Sequence, residues 1–401
     1  MKKKSHRYCR NLIGQATRND RFLRWLETLC PGLLGVYGQL ALCTQGPTSL
    51  EVARTLIGLG KEQADQMSLE VMKSVLSKVG IHEPATMEYP FATPFCLEFT
   101  KEVLQFFHSF GLKSTQSSKR LERERVDLRE SYTGMPNNTL RQVAQRFNFA
   151  TPHRSRWHFM KHFSQEVSLC EVIAYFLKED RCSRSHAPEY LVDFGGGNGY
   201  ACWLALHYLN LSYVLNVDRY VPEMCIESNE RMTWTVRDFP YYRRVAKEIQ
   251  ELDWYRDVCV DPARCIVMTK HLCGAGADRL LRLLETQNIR PKLIVLSTCC
   301  HNKGCLSDYI NPLFLNHVLH VENAEMFSMV ADRTSWIHRE DQQEYDYQRS
   351  LGLLAEWLLD LGRIQRLRQR GYAADMFQFV HRDLSPRNSV LVARRIDHLL
   401  T

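Results

Sequence analysis

The segment LVDFGGGNGYACWLALHYL, residues 191–209, constrains this chain more than any other. An apolar run of strand length ends on Asp193, glycines stand at 195, 197 and 199, and an apolar helical stretch begins at once. Glycine there lets the backbone turn tightly and lets a ligand approach the main chain, and the start of the helix offers free N–H groups. A strand, a glycine turn and a helix in that order are the opening of a parallel α/β unit.

The chain after residue 150 keeps that rhythm. YLVDF (190–194), SYVLNVD (212–218), CIVMTK (265–270) and LIVLST (293–298) are near-continuous apolar runs rich in β-branched residues. Such runs suit parallel strands buried on both faces. Helical stretches, such as 200–209 and 276–284, lie between them. The pattern predicts a doubly wound α/β sheet over residues 151–401. Residues 1–150 read differently, as a mostly helical region with apolar residues at helical spacing over 49–60 and 62–79.

Composition narrows the class further. Of 401 residues 45% are hydrophobic and 24% charged, a profile that excludes a disordered or collagen-like chain. No window reaches eighteen consecutive apolar residues, so no membrane span is expected, and the basic start MKKKSHRYCRN lacks the apolar stretch of a secretory signal. Fourteen cysteines, several inside apolar runs, read as reduced thiols of a cytoplasmic or nuclear protein. The net charge of +7 lies entirely in residues 1–150, with 21 basic against 14 acidic residues, while 151–401 balances at 31 against 31.

The glycine turn alone fits many nucleotides, or none. Three further features favour S-adenosylmethionine. The second strand ends on Asp218, where a carboxylate can bind a ribose diol. The spacing G-x-G-x-G, with Asp193 on the first strand, departs from the G-x-G-x-x-G of dinucleotide sites and fits a turn around the methionine end of that cofactor. At the carboxyl end of the strand over 265–270 the chain runs into Lys270-His271-Leu272-Cys273-Gly274, where polar side chains would meet the methyl group.

Residues 381–388, HRDLSPRN, spell the catalytic loop of a protein kinase, and 193–195 spell D-F-G. The order is reversed, with D-F-G nearly 190 residues before the loop, and only 13 residues follow Asn388, so a kinase lobe is not expected.

Taken together, these motifs resemble the eukaryotic tRNA:m(4)X modification enzymes, tRNA 2′-O-methyltransferases that act at position 4 of the acceptor stem. The resemblance runs from about Lys161 to the end. It covers Lys161-His162, Gln165 and Ser168-Leu169, the turn Asp193–Gly199, Val217-Asp218-Arg219, and RVAKEIQEL over 244–252. It continues through KHLCG with Ala277-Asp278, Cys299-Cys300-His301, Thr334-Ser335-Trp336, Asp360-x-Gly362-Arg363, Gly371-Tyr372, and Ser385-Pro386-x-Asn388-x-Val390-Leu391. It implies a Rossmann-like class I methyltransferase fold with tRNA as partner. The family's small Cys/His zinc modules have no counterpart in residues 1–150, whose cysteines and histidines lack ligand-pair spacing.

The roles implied are these. Asp193, Gly195, Gly197 and Gly199 hold the methionine part of the cofactor, Asp218 the ribose and Glu248 the adenine. Lys270 is the first candidate for removing the ribose proton, or else a fixed cation for a phosphate; His271 is the second candidate, with Asp278 orienting either. Cys299, Cys300, His301 and Cys305 suit packing and pocket-lining better than a metal, since adjacent cysteines seldom ligate one ion. Arg363, Arg366, Arg368 and Arg370 are phosphate contacts or a solvated helix end. The basic residues of 1–150 are expected to take the place of the zinc modules as a tRNA clamp. Two rivals stand beside this reading: a methyltransferase acting on a protein or another RNA, and a non-catalytic RNA-binding assembly factor.

Overall fold

The structure is a computed structural model that describes residues 21–31, 33, 61–80, 93–94, 156–180, 190–209, 211–222, 242–270, 272–338, 346–380, 385 and 387–396. The expected helix at 49–60 lies outside these residues. So does His271, and so do the arginines between 120 and 146.

Eight strands form one sheet: β1 (Thr93–Pro94), β2 (Tyr190–Phe194), β3 (Tyr213–Asp218), β4 (Tyr242–Ala246), β5 (Cys265–Thr269), β6 (Leu293–Leu296), β7 (Tyr372–Gln378) and β8 (Ser389–Arg395). Their order across the sheet is β1-β7-β8-β6-β5-β2-β3-β4. β4, β3, β2, β5 and β6 run parallel, whereas β8 is antiparallel to both β6 and β7. From β2 the chain moves outward to β3 and β4, then returns to β5 on the other side. That reversal between β2 and β5 opens a crevice at their carboxyl ends, where open α/β sheets bind ligands. With the reversed β7–β8 hairpin, this is the Rossmann-like sheet of class I methyltransferases.

The apolar runs became strands because both faces of the sheet are covered. β5 and β6 are buried throughout, and β2 in all but its first residue. The helices labelled in chain order are α1 (21–29), α2 (Lys61–Lys78), α3 (Arg156–Asp180), α4 (Tyr200–Leu209), α5 (Gly276–Thr286), α6 (Pro312–His317), α7 (Ala324–Arg333) and α8 (Asp346–Gln369). Trp203 and Leu204 of α4 and Val167 and Ile173 of α3 belong to the core with Leu191, Val214, Ile266 and Val295 of the sheet. α5 is strongly amphipathic, burying Leu280, Leu281, Leu283 and Leu284. Among the described residues no helix is long and apolar enough to cross a membrane.

The chain forms two compact units, residues 1–91 with 300–366, and residues 92–299 with 367–401. The second holds the sheet. In the first, α1 is pinned by the Trp25 indole, which donates to the Leu319 carbonyl at 2.7 Å, and by Phe22 edge-on to Trp336. The Ser74 hydroxyl of α2 donates to the Leu29 carbonyl.

Candidate active site

The glycine turn is held from three sides. Gly195 N–H donates to the Val217 carbonyl at 2.8 Å, tying the end of β2 to β3. The Asp218 carboxylate accepts from Gly197 N–H at 2.9 Å and from Tyr220 N–H at 3.0 Å, so this strand-end carboxylate is fixed against the turn. Arg244 of β4 donates to the Gly197 carbonyl at 2.7 Å. Gly195, Gly197 and Gly199 all lie in the left-handed region, at φ 72°, 51° and 86°, which a side chain would strain.

Gly196 is constrained for another reason. A Cβ there would lie 2.7 Å from both the Asn216 and Asp193 side-chain oxygens, whereas one on Gly197 would meet nothing within 4 Å. The turn therefore packs its lower side on polar atoms and opens its upper side.

Asp193 lies wholly buried beneath the turn. Burial is the main cause that pushes its carboxyl up to about 8; Lys270 opposes the shift, and Glu166 and Asp218 add to it. Its Oδ1 and the neighbouring Asn216 Oδ1 are buried without a hydrogen-bond partner. Glu248 stands half-exposed just after β4, its carboxylate 3.6 Å from the Arg219 guanidinium. Arg219 itself lies over the Tyr220 ring, and Tyr220 and Val221 are exposed beside Asp218.

The segment after β5 closes on this turn. Leu272 packs against Gly195, where a Cβ would be 3.1 Å from Leu272 Cδ1, and equally against Gly276. Lys270 is 7% exposed and its ammonium lies 2.6 Å from Glu166 Oε1 of α3. It also donates to the His162 carbonyl at 3.2 Å, with His162 Nδ1 at 3.4 Å. Asp278 is buried in the first turn of α5. Cys273 and Cys299, at the ends of neighbouring strands, bring their sulfurs to 3.1 Å.

The remaining candidates serve separate contacts. His301 is buried with Nε2 2.9 Å from Asp360 Oδ1, and Arg363 pairs with the same carboxylate. Cys305 is exposed beside Asp308. The clustered arginines are not a solvated helix end: Arg363 is buried, Arg368 donates to the Ala374 carbonyl, and Arg370 to the Leu284 carbonyl.

Glu166, Arg244 and Gly196 escaped the sequence reading. Glu166 and Arg244 meet their partners only through the fold, 104 and 47 residues away. Gly196 is a glycine among glycines, and only the atoms beneath it set it apart.

The cofactor implied by a class I methyltransferase fold is S-adenosylmethionine, and the residues fit it. Gly197 leaves space where a ligand can lie on the backbone, a fixed carboxylate stands at the end of β3, and two exposed apolar side chains follow it.

Residues 165–350 match the family model described as Methyltransferase TRM13. The tRNA:m(4)X modification enzymes TRM13 of Vanderwaltozyma polyspora and Scheffersomyces stipitis are 24% and 22% identical over 171 and 204 residues. These alignments cover 35% and 44% of this chain, and 40% and 47% of the relatives. The chain thus spans less than half the length of the curated relatives it matches. Among solved structures, the plantazolicin methyltransferase BpumL in complex with SAH aligns at 10% identity, covering 74% of this chain and 98% of its own, with a TM-score of 0.32. The stretch that matches, residues 165–350, unites the glycine turn, the Lys270 segment and the cysteine pair, and over it the chain is similar to the TRM13 methyltransferases.

Proposed function

We propose that the protein is an S-adenosylmethionine-dependent tRNA methyltransferase that modifies the ribose 2′-hydroxyl at position 4 of the acceptor stem. One observation carries the reading. The KHLCG segment packs on the glycine turn through Leu272 and Gly195, so acceptor-side polar groups adjoin the cofactor cradle within the family-matching stretch. The tRNA substrate and its position rest on the family resemblance.

S-adenosylmethionine supplies an activated methyl group on a sulfonium. The chain's own work is alignment and proton management. Gly195, Gly197 and Gly199 offer a backbone on which the methionine part lies, with Asp193 supporting the turn from below. Asp218 receives the ribose hydroxyls, and Glu248 borders the adenine. The 2′-hydroxyl proton leaves to the KHLCG segment, through Lys270 or His271, and Asp278 orients that segment from α5.

Methyl incorporation from labelled cofactor into unmodified tRNA tests this, with mapping of the ribose that carries the label. Label at position 4 is the expected result. Label in protein or another RNA but not in tRNA overturns the substrate. Cofactor binding without any transfer favours an RNA-binding assembly factor.

A further inference from the structure

We propose that Glu166 is a positioning residue that fixes Lys270 as a permanent cation beside the site, so that Lys270 is not the group that takes the ribose proton. This deepens the methyl-transfer reading above and rests on it for its catalytic part. An ammonium has three N–H donors. That of Lys270 donates to Glu166 Oε1 at 2.6 Å and to the His162 carbonyl at 3.2 Å, and His162 Nδ1, an acceptor in the tautomer protonated at Nε2, lies at 3.4 Å. A base must present a lone pair to its substrate, and an ammonium held between a buried carboxylate and the His162 backbone presents none.

Burial strengthens the argument. The two side chains are 8% and 5% exposed, so neither charge is screened by water. The titratable neighbours of Lys270 include Glu166 and His162 on α3 and Asp193 on β2. A neutral Lys270 would leave Glu166 an uncompensated anion beside a second buried carboxyl, the costly arrangement for a charge out of water. With both charges in place the pair is neutral, and Asp193 keeps its proton near neutral pH. The pair then serves as a fixed dipole at the carboxyl end of β5, acting on charge that develops on the acceptor oxygen through its field and not by a hydrogen bond.

Glu166→Gln keeps the size and an acceptor but removes the charge, and it separates the two roles. In the intact protein, competitive acetylation with acetic anhydride between pH 6 and 10, read by peptide mass spectrometry, reports the proton on Lys270 without cofactor or tRNA. We expect Lys270 in Glu166→Gln to react at least tenfold faster at pH 8 than in the unaltered chain; an unchanged profile overturns the proposal. For methyl transfer to tRNA, the alkaline limb of the pH–rate profile should move down by a unit or more in Glu166→Gln. Higher activity at neutral pH would instead mark Lys270 as the base and overturn the proposal. Lys270→Arg keeps a cation that cannot act as a base, and is expected to retain at least a tenth of the rate, whereas Lys270→Met loses a hundredfold or more. Arginine as inactive as methionine overturns the proposal, and this comparison decides should Glu166→Gln not fold. An unaltered chain that transfers no methyl group, yet shows the acetylation shift, sinks the functional reading and leaves the ion pair's role standing.

Discussion

Two neighbouring glycines in the turn respond to opposite pressures. Gly196 sits on Asn216 and Asp193, so an added methyl must displace buried polar atoms that have little room to move. Gly196→Ala is expected to destabilise the fold by about 2 kcal/mol, within the usual cost of overpacking. Gly197 has free space above it and φ 51°, so Gly197→Ala costs only about 1 kcal/mol of backbone strain. That methyl takes the place proposed for the cofactor, so S-adenosylmethionine affinity should fall tenfold or more. Thermal unfolding and calorimetric titration of both variants check the pair; equal effects on both readouts would remove the distinction. Asp193 adds a pH dependence of known sign. Its carboxyl is raised to about 8 in the fold, against an ordinary value near 3.8, so the folded protein keeps a proton that the unfolded chain releases. Its contribution is complete below pH 4, declines by about 1.4 kcal/mol per unit as pH rises, and levels off above 8. Asp193→Asn should remove that slope, so the variant gains on the unaltered chain between pH 5 and 8 in chemical denaturation. Parallel curves would show that Asp193 ionises freely in the fold.

At the scale of elements, legibility followed burial. β2, β3, β5 and β6 were readable because strands covered on both faces are apolar along most of their length, with two polar exceptions, Asp193 and Asn216, lying under the glycine turn. β4, YRRVA, has two exposed residues and no fully buried one, so it carries no such run; only its pairing with β3 makes it a strand. β7 alternates buried and exposed positions in YAADMFQ, a weak period-two signal because alanine stands at both a buried and an exposed position. The candidate site was legible where backbone chemistry demands a residue type, at the glycines and Asp218. It was not legible at Glu166, whose partner is set by the packing of α3. The Asp360-x-Gly362-Arg363 motif now has a local reason as well. Asp360 receives His301 and Arg363, and Gly362 leaves room for the Tyr309 hydroxyl and Phe314, where a Cβ would come within 2.6 Å of the ring. Gly362→Ala should therefore destabilise the unit of residues 1–91 and 300–366 by about 2–3 kcal/mol. Thermal unfolding reads the loss, and an unchanged transition would show that Tyr309 moves aside without cost.

For the whole molecule, the +7 charge takes a different address once the chain is divided as it folds. Counted along the sequence, the surplus belongs to residues 1–150. Counted by compact unit, residues 1–91 with 300–366 balance at 18 basic and 18 acidic side chains, and residues 92–299 with 367–401 carry 34 against 27. The surplus therefore falls in the sequence ranges that also hold the sheet and the candidate site. Of the basic residues proposed as a tRNA clamp, Arg120, Arg123, Arg125 and Arg129 belong to the charged unit, whereas Lys2, Lys3, Lys4 and Arg7 belong to the balanced one. Phosphate contacts release counterions, and each one lost reduces the slope of log affinity against log salt by roughly 0.7–0.9. Changing Arg120, Arg123, Arg125 and Arg129 together to glutamine should flatten that slope for unmodified tRNA by about 2 or more and weaken binding roughly tenfold at physiological salt. The same change at Lys2, Lys3, Lys4 and Arg7 should leave the slope within error. Filter binding between 50 and 200 mM salt measures both sets, and a larger effect from the N-terminal four would move the clamp to the other unit.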